Sequence, residues 1–140
     1  MAKESGLGVS VFSIDDSGGT ARAVLNDVTQ LNISTPSAMQ DVTGLDKSAM
    51  ERLHLLADGQ IQFTYVFNDA ATTGIFTVLK DYRTIFAGQV GRTILFTHSA
   101  QILSMETLLS DFPFTRAADG SLTGQATGML SNGTVPIWTT

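Results

Sequence analysis

QILSMETLLSDFPFTRAADGSLTGQATGMLSNGTVPIW, residues 101–138, is the stretch whose reading decides the fold. It reads as two long strands joined by a tight turn. The first runs from Ile102 to Thr115, the turn is Ala118-Asp119-Gly120-Ser121, and the second strand runs from Leu122 to Met129. Asp-Gly signals a hairpin because Gly takes positive φ without strain. Leu122, Gly124, Ala126, Gly128 and Leu130 alternate with Thr123, Gln125, Thr127 and Met129, the period of a pleated strand. A second turn at Ser131-Asn132-Gly133 leads into Thr134-Val135-Pro136-Ile137-Trp138. Strands are usually ~5–6 residues long. These are longer and almost uncharged, so something must cover their second face.

Outward from this hairpin the pattern stays β-rich. Gln60–Asn68 (QIQFTYVFN) is the clearest strand, with Ile61, Phe63, Tyr65 and Phe67 on one face and Gln60, Gln62, Thr64, Val66 and Asn68 on the other. Leu7–Ile14 and Val24–Ile33 read as strands around the turn Asp15-Asp16-Ser17-Gly18-Gly19, and Thr35-Pro36 ends the second. Arg92–His98 is a further strand after the loop Ala87–Gly91. A helix is predicted to start at Asn68-Asp69, with Thr72 or Thr73 as alternative caps. Its apolar face is Ile75, Phe76, Val78, Leu79 and Tyr82. Residues 37–58 form a long excursion, whose stretch between Gly44 and Gly59 has helical character. Leu45, Ala49, Met50, Leu53, Leu56 and Ala57 fall at helical spacing there, with Asp46 placed to cap. An excursion of that length is usually functional. The expected fold is mainly β: an antiparallel sandwich or small barrel with one flanking helix and a long inter-strand loop.

At 140 residues the chain is expected to be one domain, 1–140. It has no cysteine, so packing alone must hold it, and thiolate metal sites are excluded. Charged residues are 15% of the chain, below the usual ~25%, and the mean hydropathy is +0.16. That balance points to an obligate oligomer, whose interfaces resemble a core cut in half. The apolar runs are too short to span a bilayer, and Met1–Gly6 lacks the apolar region of a secretory signal. A net charge of −5 argues against gripping nucleic acid, which calls for a basic face.

No catalytic constellation emerges. His54 and His98 lie in different elements, with no Cys, Asp or Glu at metal-ligand spacing, and no nucleophile elbow is present. Gly6-Leu7-Gly8 follows no strand, so it is not a dinucleotide fingerprint. Asp15-Asp16 lacks the spaced oxygens and closing Glu of a calcium loop. Asn32-Ile33-Ser34 and Asn132-Gly133-Thr134 match glycosylation acceptors, which carry no weight without a secretory signal. Phe63, Tyr65 and Phe67 read as core, because a base-stacking platform needs basic neighbours. The expectation is a chain that is no enzyme and needs no cofactor.

Three segments together resemble the tail tube (major tail) proteins of long-tailed, non-contractile bacteriophages. They are Phe12–Ile33 (FSIDDSGGTARAVLNDVTQLNI), Asp41–Phe67 (DVTGLDKSAMERLHLLADGQIQFTYVF) and Asp111–Trp138, which closes on Gly-Thr-x-Pro-x-Trp. The ordered set, rather than any one motif, carries the resemblance. Leu45-Asp46-Lys47 stands where relatives often have Gly-Asp-Ser, a departure that bears on the local turn.

The resemblance implies a tail-tube fold, six copies per ring with inner strands joined in one barrel, and rings stacked into a tube. Such a tube houses the tape measure protein and later passes the genome. Tail terminator and distal tail proteins would meet its ends, assembly would occur in the host cytoplasm, and the product would sit in the virion tail. Six copies at −5 carry a formal −30 per ring, and an acidic or neutral lumen lets DNA slide. The polar strand faces Gln60, Gln62, Thr64, Ser104, Glu106 and Ser110 are then the lumen candidates, with an edge or interface charge as the alternative for Glu106. Met39, Leu45, Met50, Leu53 and Leu55 in the 37–58 loop would grip another subunit, or else cap this subunit's own core. The rival readings are a non-polymerising terminator or distal tail ring, and a stand-alone β-sandwich binding module.

Overall fold

Residues 3–140 are described by a computed structural model. Its elements are β1 (Val9–Asp15), β2 (Ala21–Ala23), β3 (Val28–Ser34), β4 (Ser37–Asp41), β5 (Arg52–Ala57), β6 (Gln60–Val66), α1 (Ile75–Leu79), β7 (Arg92–His98), β8 (Gln101–Leu109), β9 (Thr115–Arg116), β10 (Leu122–Leu130) and β11 (Trp138–Thr139). The main sheet runs β2-β1-β7-β8-β10-β6-β3, with β9 added to β10 and β11 to β8, and β4-β5 form a separate hairpin. Every pairing is antiparallel.

The alternation in β6 decides the packing. Ile61, Phe63 and Tyr65 are fully buried, while Gln60, Gln62, Thr64 and Val66 are half-buried on the other face. The sheet curls so that β1 faces β6, and the Phe12 and Phe63 rings meet edge-on at 5.5 Å. Ile14, Ile94, Leu103, Met105 and Ala126 fill the space between, and Ile75, Val78 and Leu79 of α1 close it. The architecture is the expected antiparallel sandwich with a flanking helix.

The closing stretch departs from two simple strands. The tight turn forms as read: Gly120 has φ +97, and Asp119 Oδ1 accepts from Ser121 N at 3.0 Å. The first strand, however, is not continuous to Thr115, because it leaves the sheet after Leu109 and resumes only as β9. Pro113 has no N–H for a ladder, and Phe112 and Phe114 turn onto Tyr65 with ring centroids at 4.9 and 5.2 Å. The Tyr65 hydroxyl donates to Pro113 O at 2.6 Å. Burial, then the Asp111 charge, push that hydroxyl's pKa well up, so it stays a donor. Gly124 makes the crossing possible, since a Cβ there would overlap Pro113 O and the Tyr65 ring.

Three further expectations change. Val24–Asp27 is not strand; residues 25–27 form a 3₁₀ turn and the strand starts at Val28. Asp27 explains it: its carboxylate accepts from Asn68 Nδ2 at 2.8 Å and Ile75 N at 3.0 Å. Helix α1 therefore starts at Ile75, not Asn68, and its first N–H is met by Asp27 rather than by Thr72 or Thr73. The far end is met by the buried Arg92, whose guanidinium donates to Val78 O at 2.6 Å and Asp81 O at 2.7 Å. An acid at the N-terminus and a base at the C-terminus both oppose the helix dipole. Finally, residues 37–58 hold no helix. Gln40 pairs with Leu53 and Asp41 with Arg52 in a β-hairpin, whose tip is held by Asp41 Oδ1 accepting from Thr43 N at 2.9 Å. The helical spacing of its apolar residues is overridden by cross-strand pairing.

Candidate assembly surfaces

Two surfaces stand out: a polar face of the main sheet and the β4–β5 arm. On the sheet, the register sets Gln30 and Gln125 beside Thr64, Asn32 and Thr127 beside Gln62, and Ser34 and Met129 beside Gln60. Met129 pairs onward with Leu108, and Glu106 and Ser104 pair with Thr93 and Leu95. Side chains alternate, so all of these point away from the core. The lumen candidates Gln60, Gln62, Thr64, Ser104 and Glu106 thus share one face, and Ser110 lies exposed just past β8. The outward positions of β3, β6, β7, β8 and β10 hold one ionisable group, Glu106, and no Lys or Arg.

Glu106 has a local task as well. Its Oε1 accepts from Val90 N at 2.9 Å and Gly91 N at 3.0 Å, tying down the loop before β7. Gln30, Asn32 and Ser34 were missed as members of this face. Their alternation with Leu31 and Ile33 was the available signal, but a strand drawn from Val24 obscured it.

The arm is exposed on both faces. From Ser37 to Leu56 every residue but Thr43 is exposed. Met39, Asp41, Arg52 and His54 share one side, and Gln40, Leu53 and Leu55 share the other. Leu45, at the tip, is fully exposed, and Met50 is also largely in water. An isolated two-stranded hairpin is marginal in water, so such a surface calls for a partner.

Near the start and end of the described chain, Glu4, Val9, Phe96, His98, Gln101 and Trp138 line an open pocket of about 510 Å³. Phe96 and Trp138 meet edge-on at 5.9 Å. His98 Nε2 lies 3.5 Å from Glu4 Oε2, and its Nδ1 is buried without a partner among the described residues. Among those residues no group of three His, Asp or Glu is placed to hold a metal ion, and no helix is long and apolar enough to cross a membrane.

No protein-family model matches the chain, and no curated protein matches it. Its fold is nevertheless found among solved structures. A chain in the virion of a native gene transfer agent particle superposes with a TM-score of 0.72 at 16% identity, covering 99% of this chain and 100% of that one. A chain in the tail of the empty gene transfer agent particle, solved by helical refinement with C6 symmetry, matches with the same TM-score, identity and coverage. The tail-tube fold implied by the sequence resemblance is the fold the chain adopts.

Proposed function

We propose that this chain is a structural virion protein, a single tail-tube domain spanning residues 1–140 whose copies close into hexameric rings that stack into a tail tube. The observation that carries the reading is the full-length fold match to a chain of a C6-symmetric tail. The reading makes the protein a conduit rather than an enzyme, working without a cofactor in the virion tail after assembly in the host cytoplasm. The polar sheet face lines the lumen, with Gln60, Gln62, Thr64, Ser104, Glu106 and Ser110 toward the tape measure protein and the passing DNA. That face without Lys or Arg suits a conduit, because each added cation contributes a phosphate contact. The arm, with Met39, Leu45, Met50, Leu53 and Leu55, grips other subunits, and terminator and distal tail proteins meet the tube ends.

Negative-stain electron microscopy of concentrated protein at neutral pH tests this. Hollow tubes of uniform width are expected. Rings that never stack point instead to a terminator or distal tail ring. Monomers alone, even with seeds, overturn the reading in favour of a binding module.

The lumen assignment has its own test. Glu106→Lys should slow genome delivery by the assembled particle while tubes still form. Glu106→Gln keeps an oxygen for Val90 and Gly91 N–H, so it isolates the charge from the loop. Unchanged delivery in the Lys variant removes Glu106 from the lumen.

A further inference from the structure

We propose that the Met39 side of the β4–β5 arm docks in the Phe96–Trp138 pocket of a second copy of this chain, with Arg52 meeting Glu4 at the pocket rim. The proposal rests on the ring-and-tube reading and names the receptor for the arm.

The two halves are chemically matched. The pocket has an aromatic wall, Phe96 and Trp138, continued by Val9. Trp138 remains 48% exposed, while Phe96 beneath it is buried. The arm offers Met39 on one side, and a Met thioether packs well against aromatic edges. Charge sorts the two sides of the arm. The Met39 side also carries Arg52, Asp41 and the imidazole of His54, whereas the Leu53–Leu55 side holds no ionisable group in its paired strands.

The Arg52 side chain has no ion pair or hydrogen bond among the described residues, and the Asp41 carboxylate, opposite it in the hairpin, is engaged by Thr43 N and Oγ1 at 2.9 and 2.6 Å. On the pocket rim, Glu4 accepts from Ser99 Oγ at 3.3 Å and lies 3.5 Å from His98 Nε2. An unpaired guanidinium and a carboxylate, each beside an apolar patch, form a complementary pair. One chain carries both halves and leaves its own arm in water, which describes a head-to-tail contact between copies. The uncharged Leu53–Leu55 side is left for a further contact.

Cross-linking provides the test, since the chain contains no cysteine. The double variant Met39→Cys with Gln101→Cys, oxidised mildly after assembly, should give a covalent ladder beyond the dimer, while each single variant stops at dimers or monomers. Tubes without a ladder, or a disulfide closed within one chain, overturn the proposal and leave the tube reading standing. Failure of the wild-type chain to assemble overturns both.

A charge swap covers the case in which the cysteine variants do not fold. Arg52→Glu and Glu4→Arg should each slow assembly by about tenfold or more, and together they should restore it. Two slow single variants with no rescue in the double overturn the pairing.

Discussion

The Asp111–Phe114 crossing and the β4–β5 arm are both excursions that interrupt the strands of the main sheet with apolar side chains. The crossing folds back on its own chain. Phe112 and Phe114 stack on Tyr65, Phe114 also meets Phe67 and Phe76, and Pro113 O takes the Tyr65 hydroxyl. The arm does the reverse, since Met39, Leu53, Leu55 and Leu56 point into water on both of its sides. Similar residue types therefore serve two ends. Where a glycine opens room, as Gly124 does, the excursion becomes core. Where the chain supplies no such room, the apolar surface is left for another molecule.

Removing the arm should have the largest effect on assembly and a small one on folding. With Met39–Leu55 replaced by a short Gly-Ser turn, tube formation should be lost. Stability in urea should stay within about 1 kcal/mol of wild type, since closing a shorter loop costs little. An unfolded product would show that the arm belongs to this subunit's core.

The crossing should respond in the opposite way. Gly124→Ala forces a Cβ into Pro113 O and the Tyr65 ring, and overpacking of that kind should cost about 3 kcal/mol, read from the urea midpoint at constant slope. A loss well under 1 kcal/mol would mean that the crossing yields easily. Tyr65→Phe tests the same crossing more gently. It leaves Pro113 O without its donor, at a cost of about 1–2 kcal/mol, with the aromatic packing intact.

The smallest effect is a pH dependence confined to the body. Partial burial raises the Asp81 carboxyl, but hydrogen bonds from Arg92 and Ser17 and the guanidinium charge outweigh it and hold the pKa below its ordinary value of 3.8. A lowered folded-state pKa contributes stability that is complete above the unfolded value and lost as pH falls through the folded one. The melting temperature of Asp81→Asn should therefore lie below wild type at neutral pH, and the two should converge below about pH 4. A gap that persists in acid would mean that the carboxylate's charge is not what matters.

Much of the main sheet was legible because its signals are local. The alternation of Ile61, Phe63 and Tyr65 is a property of consecutive residues, and so is the turn at Asp119-Gly120. The polar face was half legible: Gln60, Gln62 and Thr64 follow from that same alternation. That Gln30, Asn32, Gln125 and Thr127 lie beside them is a matter of register between strands far apart in the chain. The arm was misread because Leu45, Met50, Leu53 and Leu56 satisfy a helical spacing, and nothing local reports the pairing of Gln40 with Leu53.

By itself the sequence determined a β-rich chain of low charge with Gly-bearing turns and more apolar surface than its own core requires, because composition and period act over a few neighbouring residues. Only the tertiary structure decided where α1 begins, where the strand after Gln101 breaks, and where α1 ends. Each of those depends on a group brought from a distance: Asp27 to Ile75 N, Pro113 over Gly124, and Arg92 to the end of the helix. A buried backbone group takes whatever partner the fold delivers, and that partner is not written beside it in the chain.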